Sequence, residues 1–284
     1  MENKIDFLYI FNYSTPFFKE ALDRLLLSIE SIKNQNINIC ICNNSPFCIY
    51  DEVSIITKDF KYIHKEYNGP FSKALGINYG VKNLVKTEYF ILSDIDLIYS
   101  SDHIQRLMFK FHSMANDGEK IRFVCYNYNL MPNINKPEFA RSLSKFPIVR
   151  RFFQDRKYQV PHDYSSNYIH LDQLPKYAGG YAHGNGLIHL DTFMRIRGYD
   201  EDMIGHGPED SLFNNRISKV NRIIYDNLPD TATYHLWHPE YNRIQIKKNM
   251  QIWESRSNYY STIKNPTFID VSANLNQKDW GVII

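Results

Sequence analysis

Three pairs of residues in this 284-residue chain have the type and spacing to do ion or proton chemistry. Asp94 and Asp96 interrupt an apolar run in "YFILSDIDLIYS", residues 89–100. Such a run reads as a strand buried on both faces, as in parallel sheets. Open α/β sheets bind ligands in the crevice beyond the carboxyl ends of their strands. In extended chain, residues i and i+2 point the same way, so both carboxylates would face one cavity, where a proton, water or a divalent cation must relieve their repulsion. The same pair could instead cap the helix that "SSDHIQRLMFKFHSM" begins. Glu209 and Asp210 end the loop "GHGPED" and open the helical stretch "DSLFNNRI", where acids also favour a helix N-terminus for electrostatic reasons alone. His235 and His238, three apart in "YHLWH", are either ligands or structural imidazoles.

The elements that must position these residues read as an α/β chain. Strand-like "KIDFLYIFNY", helical "PFFKEALDRLLLSIESIK", strand-like "NINICICNN", a short "YIHKEY", helical "PFSKALGINYGVKNLVK" and the strand bearing Asp94 follow one another. That rhythm predicts a parallel sheet with right-handed crossovers. Pro16 and Pro70 sit near the starts of the two helices, where a missing N–H costs little. The strand "RFVCYNYNLM" follows. Residues 131–175 form an excursion with scattered proline and no sustained period. Regular structure returns with "GNGLIHLDTFMRIRGYDEDMIGHGPEDSLFNNRISKVN" and two strands in "RIIYDNLPDTATYHLWHPEYN". No repeat or linker divides the chain, so a single domain over 1–284 is expected, with a nucleotide-binding half at 1–130 and an acceptor and catalytic half at 176–284.

Composition narrows the class. A hydrophobic fraction of 43% suffices for a sizeable core, and a net charge of +2 with pI near 8.2 gives no case for nucleic acid. With 21 Tyr and 18 Phe there are many flat amphipathic surfaces, which suit sugar rings, nucleobases and ordinary cores alike. Cys40, Cys42, Cys48 and Cys125 lack metal-quartet spacing and read as reduced core thiols. The start "MENKIDFLYIFNY" carries no basic region followed by an apolar stretch, and nowhere do eighteen apolar residues run together, so a cytoplasmic chain is expected. Arg141, Lys145, Arg150, Arg151, Arg156 and Lys157 crowd the excursion. They are a solvated face or a patch, at 141–157, for peripheral contact with an anionic membrane or for a phosphate-bearing acceptor.

Read together, "FSKALGINYGVKNLVKTEYFILSDIDLIYS", "GNGLIHLDTFMRIRGYDEDMIGHGPEDSLFNNRI" and "YHLWH" resemble, in order and spacing, the hallmark blocks of the β-1,4-galactosyltransferase family and its GT-A relatives. Chondroitin-polymerase-type and polypeptide N-acetylgalactosaminyltransferase domains of the bacterial type are among them. The resemblance covers roughly residues 68 to 240 and implies an inverting glycosyltransferase with a GT-A, Rossmann-like fold and a mixed, mostly parallel sheet. It implies that Asp96 ligates a divalent ion, usually Mn²⁺ with Mg²⁺ as the alternative, and that Asp94 lies by the nucleotide ribose and the metal shell. The family's Met-x-x-His becomes His235-Leu-Trp-His238 here, both positions being metal ligands in the family.

By the same resemblance Asp210 is the base that deprotonates the acceptor hydroxyl, and Glu209 binds the acceptor. His206 stands where relatives have tryptophan on the acceptor platform. Tyr181 and Gly184 fall on a donor-sugar loop, with Gly179-Gly180 competing for that role. Phe71 and Lys73 fall on the segment that meets nucleotide and diphosphate, Lys for Arg keeping the charge and losing bidentate geometry. Phe11 is assigned to the donor as well. The partners implied are a UDP-hexose, such as UDP-galactose or its N-acetyl counterpart, and a glycan or lipid-linked glycan acceptor. A retaining transferase or a nucleotidyltransferase would also use a strand-end carboxylate pair. A carbohydrate-binding protein without turnover is the alternative outside catalysis.

Overall fold

The computed structural model describes residues 4–13, 17–116, 118–130, 180–205, 207–226, 231–236, 245–273, 275–276 and 279–283. The expected alternation opens the chain. Strand β1 (Ile5–Phe11), helix α1 (Phe18–Ile32) and strand β2 (Ile37–Asn43) lead to helix α2 (Tyr50–Ile56) and strand β3 (Phe60–His64). Helix α3 (Lys73–Leu84) and strand β4 (Tyr89–Ser93) complete this part. α1 forms because Ala21, Leu22, Leu25, Ile29 and Ile32 recur at helical spacing and are all buried. α2 was not expected. Its seven residues are too few to show a period, and among them only Val53 is buried. Pro70 lies ahead of the N-cap Ser72, whose side chain accepts from Leu75 N at 3.3 Å, so proline ends the preceding loop and a hydroxyl caps the helix. Pro16 lies outside the described residues.

β1, β2, β3 and β4 are parallel to one another, in the order β3-β2-β1-β4. Beyond β4 the sheet becomes mixed. Strand β7 (Gly180–His189) runs antiparallel to β4 and to strand β6 (Arg122–Leu130). β6 pairs in parallel with β8 (Ile223–Tyr225) and β9 (Thr233–Leu236). The last strand, β5 (Leu97–Ile98), pairs antiparallel with β9. β4, the strand that leads into Asp94, is buried as anticipated, between one parallel and one antiparallel neighbour.

Side chains alternate across the sheet to make two cores. Phe7, Tyr9, Ile39, Ile41, Ile91 and Phe123 face α1 and helix α4 (His103–Met114), and Leu8, Cys40, Cys42, Phe90, Leu92 and Ile188 face α3. The second face also takes Phe193 of helix α5 (Leu190–Arg195) and Leu212 of helix α6 (Glu209–Ser218). Helices α7 (Ile246–Thr262) and α8 (Phe268–Ser272) follow; neither was anticipated from the sequence. Cys40, Cys42 and Cys125 are buried thiols as expected, but Cys48 is exposed. The excursion, with the basic cluster at 141–157, lies outside the described residues. Among the described residues no helix is long and apolar enough to cross a membrane.

One glycine fixes the strand crossing beneath the site. Gly186 has φ +122°, and a Cβ there would stand 2.1 Å from the Phe123 carbonyl oxygen of the paired strand. Gly186→Ala combines a forbidden backbone region with a backbone clash, so it should destabilise the fold by about 3 kcal/mol. A melt showing a shift under a degree would exclude this close approach.

Candidate active site

The central carboxylates come together because β4 ends at Ser93 and turns at once. Asp94 to Asp96 follow the strand as a turn, and the neighbouring carboxylates take different partners, Lys73 and His235. Nor do they cap α4, which starts at His103 with Asp102 before it. The turn delivers Leu97 opposite His235 in the β5–β9 pair, and Leu236 N donates to Asp96 O at 2.8 Å. This register brings Asp96 Oδ2 within 3.4 Å of His235 Nε2. Burial works against charge on His235, yet the Asp96 carboxylate outweighs it and raises its pKa. His235 is the penultimate residue of β9; His238 lies outside the described residues.

Lys73 is the hub on the other side. It is the first residue of α3, and its ammonium lies 2.7 Å from Asp94 Oδ1 and 2.9 Å from Asp210 Oδ2. Desolvation opposes its charge, but Asp210, Asp94 and Glu209 together hold its pKa well above the usual lysine value. Asp94 is pushed upward, by burial first and then by the nearby Asp210 and Asp96 charges, against the pull of Lys73.

Glu209 and Asp210 form the first turn of α6, as the sequence led one to expect, with Pro208 before them. Asp210 is possible there because Gly184 has no side chain: a Cβ would approach the Asp210 carboxylate to 2.9 Å. Gly184 therefore lies against Asp210, and it sits in strand β7 where a loop was expected. The backbone of Tyr181 is in the same strand, opposite Tyr126; His206 lies outside the described residues. α6 is anchored by Arg216, a fully buried guanidinium that donates to the carbonyls of Gly198 at 2.7 Å, Val271 at 3.3 Å and Ile196. The loop before α6 is fastened by Gly205 N to Phe71 O at 2.7 Å, and by buried Asn249 of α7 to Ile204 O at 2.8 Å.

Glu209 is only 7% exposed, and its Oε2 has no hydrogen-bond partner among the described residues. Burial, then the Asp210 charge, pushes its carboxyl up to about 8 against the pull of Lys73. A carboxyl held there when folded and near 4.5 when unfolded keeps its proton more tightly in the fold. Its stabilising contribution is complete below about pH 4.5 and is lost as pH rises through about 8. Glu209→Gln should therefore raise the melting temperature relative to the wild type at about pH 8.5 but not at about pH 5. Equal differences at both pH values would place Glu209 in water.

The aromatic residues assigned to the donor divide. Phe71 is half-buried and its ring meets Tyr13 at 5.8 Å, whereas Phe11 is wholly buried, in core contact with Tyr13 at 5.5 Å and Phe18 at 5.4 Å. Tyr13 stands near the acids, and the Asp96 and Asp94 charges reach it. Arg24 of α1 was missed altogether. It is 2% exposed and near enough to His235 to oppose that ring's protonation. A charged residue between Leu22 and Leu25, on the helix's buried face, was the available signal.

An open, largely parallel sheet whose carboxyl edge gathers Asp94, Asp96, Lys73 and the acid pair of α6 is the architecture of the GT-A, Rossmann-like α/β enzymes. The family model of glycosyl transferase family 2 matches residues 14–169, and the chain belongs to that family; it is a glycosyltransferase. No curated protein matches the chain. Among solved structures it is similar to the mannosyltransferase PcManGT from Pyrobaculum calidifontis, determined in complex with GDP-Man and Mn²⁺. Identity is 11% and TM-score 0.47, covering 95% of this chain and 67% of that one.

Proposed function

We propose that this glycosyltransferase is metal-dependent and inverting, and that its single domain moves a hexose, galactose, N-acetylgalactosamine or a similar sugar, from a UDP-sugar to a hydroxyl of a glycan or lipid-linked glycan. The observation that carries the reading is the ion-pair bridge through Lys73, which joins the Asp94–Asp96 turn to Asp210 in one crevice. Residue by residue, the sequence resemblance to β-1,4-galactosyltransferases puts nucleotide, diphosphate and acceptor chemistry at those three places.

The donor set suits a divalent cation. An oxygen of Asp96 faces an imidazole nitrogen of His235 at 3.4 Å, and such a mixed set favours Mn²⁺, with Mg²⁺ the alternative. Among the described residues no three such side chains gather; His238 is the remaining ligand the reading assigns. When bound, the ion supplies positive charge for the departing diphosphate.

The protein's own groups do the rest. Phe71 and Tyr13 offer aromatic surface beside the crevice, and Lys73 offers an ammonium to the diphosphate. Glu209 orients the acceptor, and Asp210 accepts the proton of its attacking hydroxyl. The acceptor oxygen bonds to the anomeric carbon as the bond to the phosphate oxygen breaks on the opposite face, so an α-linked donor gives a β-linked product. Burial of Glu209 beside Asp210 keeps water away from the attacking hydroxyl. The reading is tested by incubating the protein with a panel of nucleotide-sugars and Mn²⁺ and following release of nucleoside diphosphate. Slow hydrolysis of a UDP-hexose supports it; preference for a donor with another nucleotide overturns the UDP assignment.

A further inference from the structure

We propose that Lys73 is a positioning residue that couples donor occupancy to the freedom of Asp210: in the free protein its ammonium holds the Asp210 carboxylate, and a bound nucleoside diphosphate draws it away. The inference rests on the reading of this crevice as a donor site.

Three observations carry it. Lys73 opens α3, where a cation opposes the helix dipole, so the helix itself gains nothing from a lysine at this position. Its ammonium instead spans two chain segments, Asp94 beyond β4 and Asp210 on α6, at 2.7 and 2.9 Å. Lys73 donates to Asp210 Oδ2, while Oδ1 is buried without a partner at hydrogen-bond distance among the described residues, the Tyr199 hydroxyl standing close to the carboxylate. While Lys73 donates to it, that oxygen is engaged with the ammonium rather than with an incoming hydroxyl. Asp210 is thus restrained until Lys73 has a better anion, and a diphosphate is the anion this site is read to bind. The consequence is an order of events: donor first, then a base able to activate the acceptor.

Competition for one ammonium is measurable without the acceptor. Isothermal titration with UDP and with GDP, each in Mn²⁺, is carried out on the wild type, Asp210→Asn, Lys73→Met and the double variant. Removing the competing carboxylate should tighten nucleoside diphosphate binding by roughly fivefold or more when Lys73 is present. In the Lys73→Met background the same change should alter affinity by less than about twofold. Lys73→Arg, which keeps a cation, should restore the gain. Unchanged or weaker binding by Asp210→Asn overturns the inference, and so does an equal gain in both backgrounds, which would mark plain charge repulsion. If Asp210→Asn does not fold, Asp210→Ala makes the same comparison. Failure of the wild type to bind either nucleotide would overturn the donor-site reading itself, and the inference with it. Wild-type binding without a Lys73-dependent gain removes the inference alone.

Discussion

Replacing Asp210 with Asn should lower sugar transfer by roughly 10²–10⁴, the range that a general base contributes, without weakening donor binding. The substitution keeps size and one acceptor oxygen but loses proton affinity, and Asp210 lies where α6 begins, against the side-chain-free face of Gly184. Glu209→Gln, one residue earlier, should act mainly on acceptor KM. Glu209 is the more deeply buried of the two and holds its proton up to about pH 8, so at neutral pH it is suited to donate a hydrogen bond to the acceptor. Steady-state kinetics of the two variants separates the roles. A dead Glu209→Gln with a near-normal Asp210→Asn would transfer the base to Glu209. Two active variants would leave the acid pair as a helix start and remove the main support for inversion.

Chelation should have an effect as large. Activity is expected to vanish in EDTA and to return best with Mn²⁺, since imidazole and carboxylate together favour it over Mg²⁺. Asp96→Ala should abolish metal-supported nucleotide binding, because that carboxylate is 6% exposed and lies against His235 where the β5–β9 register places it. His235→Met should retain part of the activity, as methionine fills that position in the family the sequence resembles. Full turnover in chelator would take the cation out of the mechanism.

The parts of this arrangement that the sequence made legible are local. β1, β2, β4 and helices α1 and α3 follow from apolar runs and helical spacing, and the helix start at Glu209 follows from its neighbours. The juxtaposition of Asp96 and His235 was not legible, since it depends on a two-residue strand, β5, pairing across a separation of more than a hundred residues. Extended-chain reasoning placed Asp94 and Asp96 in one cavity but could not show that the chain turns there or which partner each takes. Gly184 shows a similar limit. Its glycine character was visible, but that it clears space for Asp210 depended on which strand lay beside α6. Arg24 and Tyr13 were hidden because neither carries a motif, Arg24 lying between the leucines of α1 and Tyr13 just beyond β1, and only the folded chain sets their charge and ring near the acids and His235.

The central claim, inverting transfer with Asp210 as base, is tested most directly by the stereochemistry of the first product. ¹H NMR during turnover of a UDP-α-hexose with Mn²⁺, using water or a sugar acceptor, reports the anomeric configuration before mutarotation. A β-configured first product that is lost in Asp210→Asn is the expected result. An α-configured product, formed at the same rate by Asp210→Asn, would contradict it.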